Sequence, residues 1–246
     1  MTSGDRDDSF IPCPAAASHA LPTVKSLLAV CAHPDDESFG LGGIIIEFTR
    51  QRADVSVVCF THGEASTLGH APVELGEIRA RELREASRVL GVRDVTLLSF
   101  ADGELAARSL PELTGAVLHA ANRARPDVLL VFDEGGITGH PDHQRATEAA
   151  LAAAQELDVP VLAWMLPLHV TRSLNREFGT SFAGRSLEEA DFAVLIDRGR
   201  QRDAIERHES QASENPVLWR RLELQANTEW LRWLRPPQRY AATASR

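Results

Sequence analysis

The sequence predicts an α/β fold of the Rossmann-like, doubly wound type, with helices on both faces of a mostly parallel sheet. Short apolar segments alternate with segments of helical periodicity along most of the chain, which is the pattern of successive βαβ units. Residues 27–32 and 128–132 are uninterrupted apolar runs, as expected of central strands that are covered on both faces. A motif of His, Pro and Asp follows each of these two runs, at residues 33–37 and 140–143.

The elements follow from apolar runs, β-branched residues and helical spacing of apolar side chains. Six strands are predicted, at residues 27–32, 55–61, 94–100, 127–133, 159–166 and 191–197. Helices are predicted at residues 44–51, 72–90, 109–123, 143–157, 200–212 and 216–233. The helix at 72–90 has the clearest apolar face, and Gly91 is its expected C-cap. Residues 167–189 give only weak secondary-structure signals, so no element is assigned to them.

Composition and charge limit the classes of function. The chain has 246 residues, of which 43% are hydrophobic and 25% are charged, so it can bury a sizeable core. Its net charge of −9 argues against nucleic-acid and anionic-membrane partners, because both require a basic surface. No apolar run approaches the roughly 20 residues that a membrane span needs.

The first residues and the cysteines predict the domain organisation and the compartment. Residues 1–24 are rich in Ser, Pro, Asp and Ala without periodicity, which predicts a flexible N-terminal tail before a single domain at 25–246. No basic segment followed by an apolar one indicates a signal peptide. Cys13, Cys31 and Cys59 are widely spaced and contain no C-x-x-C pair, so we expect reduced thiols and a cytoplasmic location.

The two His-Pro-Asp motifs predict one divalent metal held between two loops. If the first four strands follow the order 3-2-1-4, strands one and four are neighbours and a crevice opens at their carboxyl ends. His33 and Asp36 follow strand one and His143 follows strand four, so all three lie at this crevice. Three N/O ligands leave a coordination position for water, as in catalytic zinc sites. An Asp after Pro is also a common turn or cap residue, but two such motifs at equivalent strand ends favour the metal site.

Residues beside these ligands are candidates for proton transfer. Asp35 is adjacent to a ligand but points elsewhere, because consecutive side chains diverge, and it is the candidate general base. Its alternative role is to orient a histidine ligand. His140 would stabilise an oxyanion or protonate a leaving group, and Asp142 would orient a histidine. Glu37 is interpreted as an acidic residue in the first turn of a helix rather than as a ligand-shell carboxylate.

A metal, a carboxylate base and a histidine acid together fit the hydrolysis of an amide. A dinucleotide site is disfavoured, because residues 40–43 lack the G-x-G-x-x-G spacing and follow an acidic loop. Two histidines and one carboxylate also suit non-haem Fe(II) oxygenases, but those usually have β-sandwich cores. The sequence contains no Walker A, H-E-x-x-H or G-x-S-x-G motif.

The two motifs resemble those of a known family. Ala-His-Pro-Asp-Asp-Glu at 32–37, with His-Pro-Asp-His at 140–143, is similar to the PIG-L/LmbE-like zinc-dependent N-acetylglucosaminyl deacetylases. The resemblance extends over residues 27–211, which is most of the chain. It implies removal of an acetyl group from an N-acetylglucosaminyl conjugate such as GlcNAc-inositol, GlcNAc-malate, GlcNAc-phosphatidylinositol or a glycopeptide antibiotic. It also implies one Zn²⁺ per chain, with Fe²⁺ or another divalent ion as the alternative.

The same resemblance implies roles for individual residues. His33, Asp36 and His143 match the family's metal ligands, Asp35 its base, and His140 the histidine that assists the tetrahedral intermediate. Shorter similarities occur at Thr61–Glu64, Arg79–Leu83, Asp102 and His208–Gln211. They imply that Glu64, Arg79, Asp102 and His208 bind the substrate. The alternatives are a helical ion pair between Arg79 and Glu82 and an ordinary amphipathic helix around His208.

Three hypotheses about function remain open at this point. The first is a zinc-dependent deacetylase of a small-molecule glucosamine conjugate. The second is an amidase that removes a larger acyl group from a glucosamine-containing thiol or antibiotic conjugate. The third is a non-catalytic member that binds a sugar. Residues 167–189 and those after 215 match no named subfamily and are expected to shape the acceptor pocket; a homo-oligomer, as several family members form, is compatible with the resemblance.

Overall fold

The computed structural model describes residues 17–68 and 73–238. Within these residues, seven strands form one sheet with the spatial order β3-β2-β1-β4-β5-β7-β6. The strands are β1 (Ser26–Cys31), β2 (Asp54–Thr61), β3 (Asp94–Phe100), β4 (Val128–Phe132), β5 (Val161–Met165), β6 (Phe192–Leu195) and β7 (Thr228–Arg235). β1 to β5 pair in parallel, whereas β7 pairs antiparallel with β5 and β6. The predicted order 3-2-1-4 is confirmed, and β1 and β4 are neighbours at the point where the strand order reverses.

Helices cover both faces of the sheet, as the apolar strands predict. The helices are α1 (Asp36–Phe39), α2 (Gly42–Arg50), α3 (Leu75–Leu90), α4 (Leu110–Ala124), α5 (Gly136–Gly139), α6 (Pro141–Leu157), α7 (Leu168–Phe178), α8 (Arg198–Ile205), α9 (Glu209–Ala212) and α10 (Pro216–Gln225). Alternate residues of β1 enter different cores, with Ala29 facing the core that includes α2 and α3, and Val30 facing the core that includes α4 and α6. None of the helices in the described part of the chain has the length and apolarity needed to cross a bilayer.

The C-terminal part differs from the prediction in two places. The helix predicted at 216–233 ends at Gln225, and Thr228–Arg235 instead forms β7. Ala226 has a φ of +48°, which ends the helix, and Trp230 is buried where β7 pairs between β5 and β6. The helix predicted at 200–212 is divided into α8 and α9 by a turn that ends at His208.

The predicted N-terminal tail differs over its last residues. Ala17 and Leu21 are buried, and Ser18 exchanges two backbone hydrogen bonds with the edge of β6. Residues 17–24 therefore pack against the domain. Residues 1–16, including Cys13, and Pro72 at the predicted start of α3 lie outside the described residues. Gly91 follows α3 as the predicted C-cap, with a φ of +82°.

Candidate active site

The carboxyl ends of β1 and β4 bring the three predicted metal ligands together. His33 Nδ1 lies 3.1 Å from His143 Nε2, which lies 3.1 Å from Asp36 Oδ1. These three atoms all lie within 4.8 Å of one another. Ligand atoms bound to a tetrahedral zinc at about 2.0–2.1 Å are roughly 3.3 Å apart. The spacing therefore fits one shared divalent metal.

The outward-facing nitrogens of the histidines lie against oxygen atoms, an arrangement that leaves the inward nitrogens for a metal. His143 Nδ1 lies 3.0 Å from the carbonyl oxygen of Gly136, so it carries the proton and Nε2 keeps its lone pair. His33 Nε2 lies 3.0 Å from Asp102 Oδ1 and 3.4 Å from Asp142 Oδ2, which leaves Nδ1 unprotonated in the neutral ring. Such partners orient metal-binding histidines in proteins.

Asp36 is oriented in the same way. Its Oδ2 accepts hydrogen bonds from the backbone N–H groups of Ala32 (2.9 Å) and His33 (3.0 Å), while Oδ1 faces His143. Burial alone would raise the pKa of Asp36, but the nearby His143 and the hydrogen bonds hold it well below its usual range. Asp36 is therefore ionised, with one oxygen directed at the candidate metal site.

Four carboxylates crowd this crevice and favour a cation there. They belong to Asp35, Asp36, Asp102 and Asp142. Burial lowers the pKa of His33, but its hydrogen bonds to Asp102 and Asp142 outweigh that effect and raise the pKa to about 10. A second group of donors, His33, His140 and Asp142, also lies close enough to hold an ion. It shares His33 with the first group, so the structure presents two alternative positions for a metal.

Asp35, the predicted base, lies on a strained turn that several contacts hold in place. Its φ is +123°, which is rare for a residue with a side chain. Its backbone N–H donates to Glu37 Oε2 (3.0 Å), and Arg79 lies 3.0 Å from its Oδ2. Burial raises the pKa of Asp35 to about 6, although Arg79 opposes the increase. A carboxylate with this pKa exchanges protons near neutral pH.

Arg79 is buried and joins three parts of the crevice. Its guanidinium donates to the carbonyl oxygens of Gly63 (2.6 Å) and Pro34 (2.5 Å) as well as pairing with Asp35. Gly63 has a φ of +66°, and a Cβ at this position would lie 2.2 Å from Arg79 Nη1, so only glycine fits. Arg79 lines the cavity, but its polar contacts mainly orient Asp35 and the turn before it.

Glu37 and His208 form a buried pair behind the Asp35 turn. Both side chains are fully buried, and His208 Nε2 lies 2.6 Å from Glu37 Oε1. Burial lowers the pKa of His208, but the contact with Glu37 more than reverses this effect and raises it. The structure therefore does not place His208 where it could contact a substrate, contrary to the expectation. The interpretation of Glu37 as only an acidic residue in the first turn of a helix is also incomplete. Its carboxylate contacts His208 and accepts the backbone N–H of Asp35, so it supports the Asp35 turn.

The remaining predicted sugar-binding residues lie at the ends of β2 and β3. Asp102 lines the cavity and is partly buried, with Oδ2 accepting from the backbone N–H of Ala65 at 2.9 Å. Glu64 is exposed and accepts the backbone N–H of Asp102 through Oε1 at 3.1 Å. Glu64 thus supports Asp102 and is not among the residues that line the cavity.

His140 and Asp142 lie at the N-terminus of α6. The ring of His140 is 4.9 Å from that of His33 and 5.1 Å from that of His143, between centroids. Burial and these two neighbouring imidazoles lower the pKa of His140, so its ring is neutral at pH 7. Asp142 is fully buried and accepts from the backbone N–H groups of Gly103 (2.8 Å) and Leu105 (3.0 Å). It therefore connects the end of β3 to His33, and its role in orienting that histidine stays a prediction.

A cavity of about 500 Å³ opens in front of these residues. The segment that sequence patterns left unassigned contributes Phe182, and the region after 215 contributes Val217, Leu218 and Arg221 from α10. Phe132 and Trp164 at the ends of β4 and β5 also line it. Sequence reasoning did not single out these wall residues individually, because most of them look like ordinary core side chains in a linear pattern.

Comparisons with known proteins show which sequences this chain resembles. A 1D-myo-inositol 2-acetamido-2-deoxy-alpha-D-glucopyranoside deacetylase from Nakamurella multipartita is 32% identical over 201 residues, which cover 69% of this chain and 63% of that protein. The chain spans 48 to 63% of the length of three curated relatives that it matches.

Solved structures share the fold at low sequence identity. The N,N'-diacetylchitobiose deacetylase from Pyrococcus horikoshii has a TM-score of 0.65 at 23% identity, covering 89% of this chain and 86% of its own. The 4-carboxy-2-hydroxymuconate hydratase GalB from Pseudomonas putida has a TM-score of 0.67 at 18% identity, covering 86% of this chain and 97% of its own. Because a hydratase has the same fold, the fold alone does not determine the reaction. The family model for PIG-L, described as GlcNAc-PI de-N-acetylase, matches residues 28–154, and the chain belongs to the PIG-L family.

Proposed function

We propose that this chain is a metal-dependent N-deacetylase of a small-molecule N-acetylglucosaminyl conjugate. The observation that carries the proposal is the convergence of His33 Nδ1, Asp36 Oδ1 and His143 Nε2, with the carboxylate of Asp35 on the adjoining turn. The relatives named as GlcNAc-inositol and GlcNAc-malate deacetylases support this reaction class. We infer Zn²⁺ as the ion, because two imidazoles and one carboxylate are a catalytic zinc donor set.

A divalent ion at this site would polarise the amide carbonyl and lower the pKa of a water molecule. The protein supplies the proton transfers. Asp35 accepts a proton from the attacking water, and Arg79 keeps its carboxylate oriented. Water adds its oxygen to the acyl carbon, the C–N bond breaks, and the released amine takes up a proton. The products are acetate and a free glucosamine conjugate.

His140 is our candidate for stabilising the transition state. Its ring lies beside both histidine ligands and lines the cavity. Because its pKa is lowered, the neutral ring can donate one hydrogen bond to a developing oxyanion. Its Nδ1 already accepts the N–H of Asp142 at 3.2 Å, so the proton is on Nε2.

Sugar recognition is assigned to the β2 and β3 ends of the cavity. Asp102 offers a carboxylate that can accept hydrogen bonds from hydroxyl groups, with Glu64 supporting its backbone. A cytoplasmic location is part of the proposal, since Cys31 and Cys59 are free, buried thiols. A homo-oligomer remains a prediction that sedimentation of the purified chain tests.

The direct test is release of acetate by protein loaded with a stoichiometric divalent metal. The substrate panel contains GlcNAc-inositol, GlcNAc-malate and N,N'-diacetylchitobiose, each assayed before and after chelation. We expect acetate and free amine in equal amounts from at least one conjugate, and loss of both after chelation. Full metal occupancy without release from any N-acylated glucosamine would contradict the proposal.

A further inference from the structure

Two motifs from the sequence analysis meet at the Asp35 turn. One is Arg79–Leu83 on α3, and the other is His208–Gln211, which includes α9. Sequence reasoning left open an ion pair between Arg79 and Glu82. The structure describes both residues and forms no ion pair between them: Arg79 pairs with Asp35, whereas Glu82 is buried and bonded to α9. The two residues therefore have separate partners, although they lie three positions apart on one helix face.

Glu82 uses both of its carboxylate oxygens to hold one residue of α9. Its Oε1 accepts the backbone N–H of Ser210 at 2.9 Å, and its Oε2 accepts the Ser210 hydroxyl at 2.6 Å. Among the described residues, 17–68 and 73–238, no basic side chain forms an ion pair with this carboxylate. A buried carboxylate without an ion-pair partner is costly, so Glu82 is a poor choice for stability alone. Its role therefore lies in what Ser210 holds in place.

Ser210 lies in the first turn of α9, two residues after His208. The carbonyl oxygen of His208 accepts the backbone N–H groups of Gln211 (2.9 Å) and Ala212 (2.8 Å), so this turn connects Ser210 rigidly to His208. The His208 side chain in turn reaches Glu37, with Nε2 lying 2.6 Å from Glu37 Oε1 and both side chains fully buried. Anchoring α9 at Ser210 therefore fixes the imidazole of His208 against Glu37.

Glu37 connects this buried contact to the Asp35 turn. Its Oε2 accepts the backbone N–H of Asp35 at 3.0 Å, while its Oε1 also accepts the hydroxyl of Ser38 at 2.6 Å. The φ of +123° at Asp35 is strained, and such a conformation persists only where surrounding contacts hold it. Arg79 holds the carboxylate of the same residue at 3.0 Å. Helix α3 therefore supports the Asp35 turn twice, directly through Arg79 and indirectly, by way of α9, through Glu82.

We propose that Glu82 is a positioning residue for the hydrolysis described above. It anchors α9 through Ser210, and the contact of His208 with Glu37 then keeps the Asp35 carboxylate in its productive orientation. This inference rests on the proposed function, in which Asp35 is the base. Glu82 does not line the cavity, so it touches neither substrate nor reacting atoms. Because a small misplacement of a catalytic group strongly lowers the rate, loss of this anchor lowers kcat and leaves KM nearly unchanged.

The kinetic test replaces Glu82 by Met and by Gln, and measures kcat and KM of the metal-loaded proteins with a conjugate that the wild type cleaves. Methionine has a similar length but no oxygen acceptor, so we expect kcat to fall by about 10- to 100-fold while KM stays within about threefold. Glutamine can accept the N–H of Ser210 through its carbonyl oxygen and donate to the Ser210 hydroxyl through its amide. Glu82→Gln should therefore keep kcat within about threefold of the wild type.

A pair of serine substitutions provides a milder variant and a matched control. Ser210→Ala removes one of the two bonds to Glu82 and should lower kcat by about three- to tenfold. Ser109→Ala likewise removes a hydroxyl that holds a helix end, because the Ser109 side chain accepts the N–H of Glu112 at the start of α4. Ser109 is not among the residues that line the cavity, so this control should leave kcat unchanged. The absorption spectrum of Co²⁺-loaded protein should be the same in Ser210→Ala and the wild type; a changed spectrum would place the defect at the metal and overturn the inference.

A crystal structure of Glu82→Met tests the positioning without any substrate. We expect the Asp35 turn to leave its φ of +123° or the contact between Asp35 and Arg79 to lengthen. An unchanged Asp35 turn, or a wild-type kcat in Glu82→Met, would overturn the inference. Equal losses of kcat in Glu82→Gln and Glu82→Met would also overturn it, because the charge of Glu82 rather than its hydrogen bonds would then be responsible. If the metal-loaded wild type cleaves no N-acyl conjugate, the proposed function fails, and the crystal structure still decides whether Glu82 positions Asp35.

Discussion

Replacing Asp35 by Asn should remove activity without weakening the fold. Asn keeps the size of the side chain and tolerates a positive φ, so the strained turn at +123° can persist. A lost general base lowers kcat by about 10²–10⁴-fold. Folding raises the pKa of this carboxyl from 3.8 to about 6, so keeping it ionised at pH 7 opposes folding by up to about 3 kcal/mol. A neutral amide avoids that cost, so we expect the metal-free variant to be at least as stable as the wild type.

The assay pairs acetate release at full metal occupancy with urea denaturation of the chelated protein at pH 7.5. A suitable control is Asp133→Asn, because Asp133 is a buried carboxylate bound to Arg185 (2.7 Å) and Arg232 (2.6 Å) outside the cavity. The control should lose stability, by about 2 kcal/mol, and keep its turnover. Activity of Asp35→Asn within tenfold of wild type would show that Asp35 is not the base. A marked loss of stability in Asp35→Asn would show that the ion pair between Asp35 and Arg79 outweighs the cost of burying the Asp35 carboxylate.

Two further predictions concern the residues around this turn. Arg79→Lys should lower kcat by about 10-fold or more while the metal stays bound, because a lysine cannot bridge Asp35 and two carbonyl oxygens at once; an unchanged kcat would contradict the orienting role. In the folded state, Glu37 raises the pKa of His208 above its unfolded value. The pair therefore stabilises the folded state fully below about pH 6.5, and this contribution is lost as the pH rises through the folded-state pKa of His208. The loss of unfolding free energy in His208→Gln should therefore be larger at pH 6 than at pH 9, and a pH-independent loss would refute the charged pair.

The sheet centre was predictable because its sequence signals are local. β3 occupies Asp94–Phe100 as predicted, and β1 and β4 are apolar runs that end at the two His-Pro-Asp motifs. The topological rule then places both motifs at one crevice, so His33, Asp36 and His143 could be grouped without coordinates. Residues 167–189 and the region after 215 contribute Phe182 and Leu218 to the cavity, and their expected role in shaping an acceptor pocket stays a prediction.

The C-terminal part was less predictable because tertiary contacts decide it. Leu218, Leu222 and Trp230 have helical spacing, yet Trp230 belongs to β7, where pairing with two strands outweighs local preference. The roles of Glu37 and His208 depend on a contact between residues 171 positions apart, which no periodicity reveals. One signal in the sequence was available: Glu37 follows the candidate base by two positions within the same motif, which could have suggested a supporting role for it.

The central claim is that His33, Asp36 and His143 bind one divalent metal. An anomalous difference map at the zinc edge, from crystals of metal-loaded protein, tests it most directly. We predict a single peak per chain, about 2.0–2.2 Å from His33 Nδ1, His143 Nε2 and an oxygen of Asp36. A peak between His33, His140 and Asp142 instead, or no peak at saturating zinc, would contradict the proposed centre.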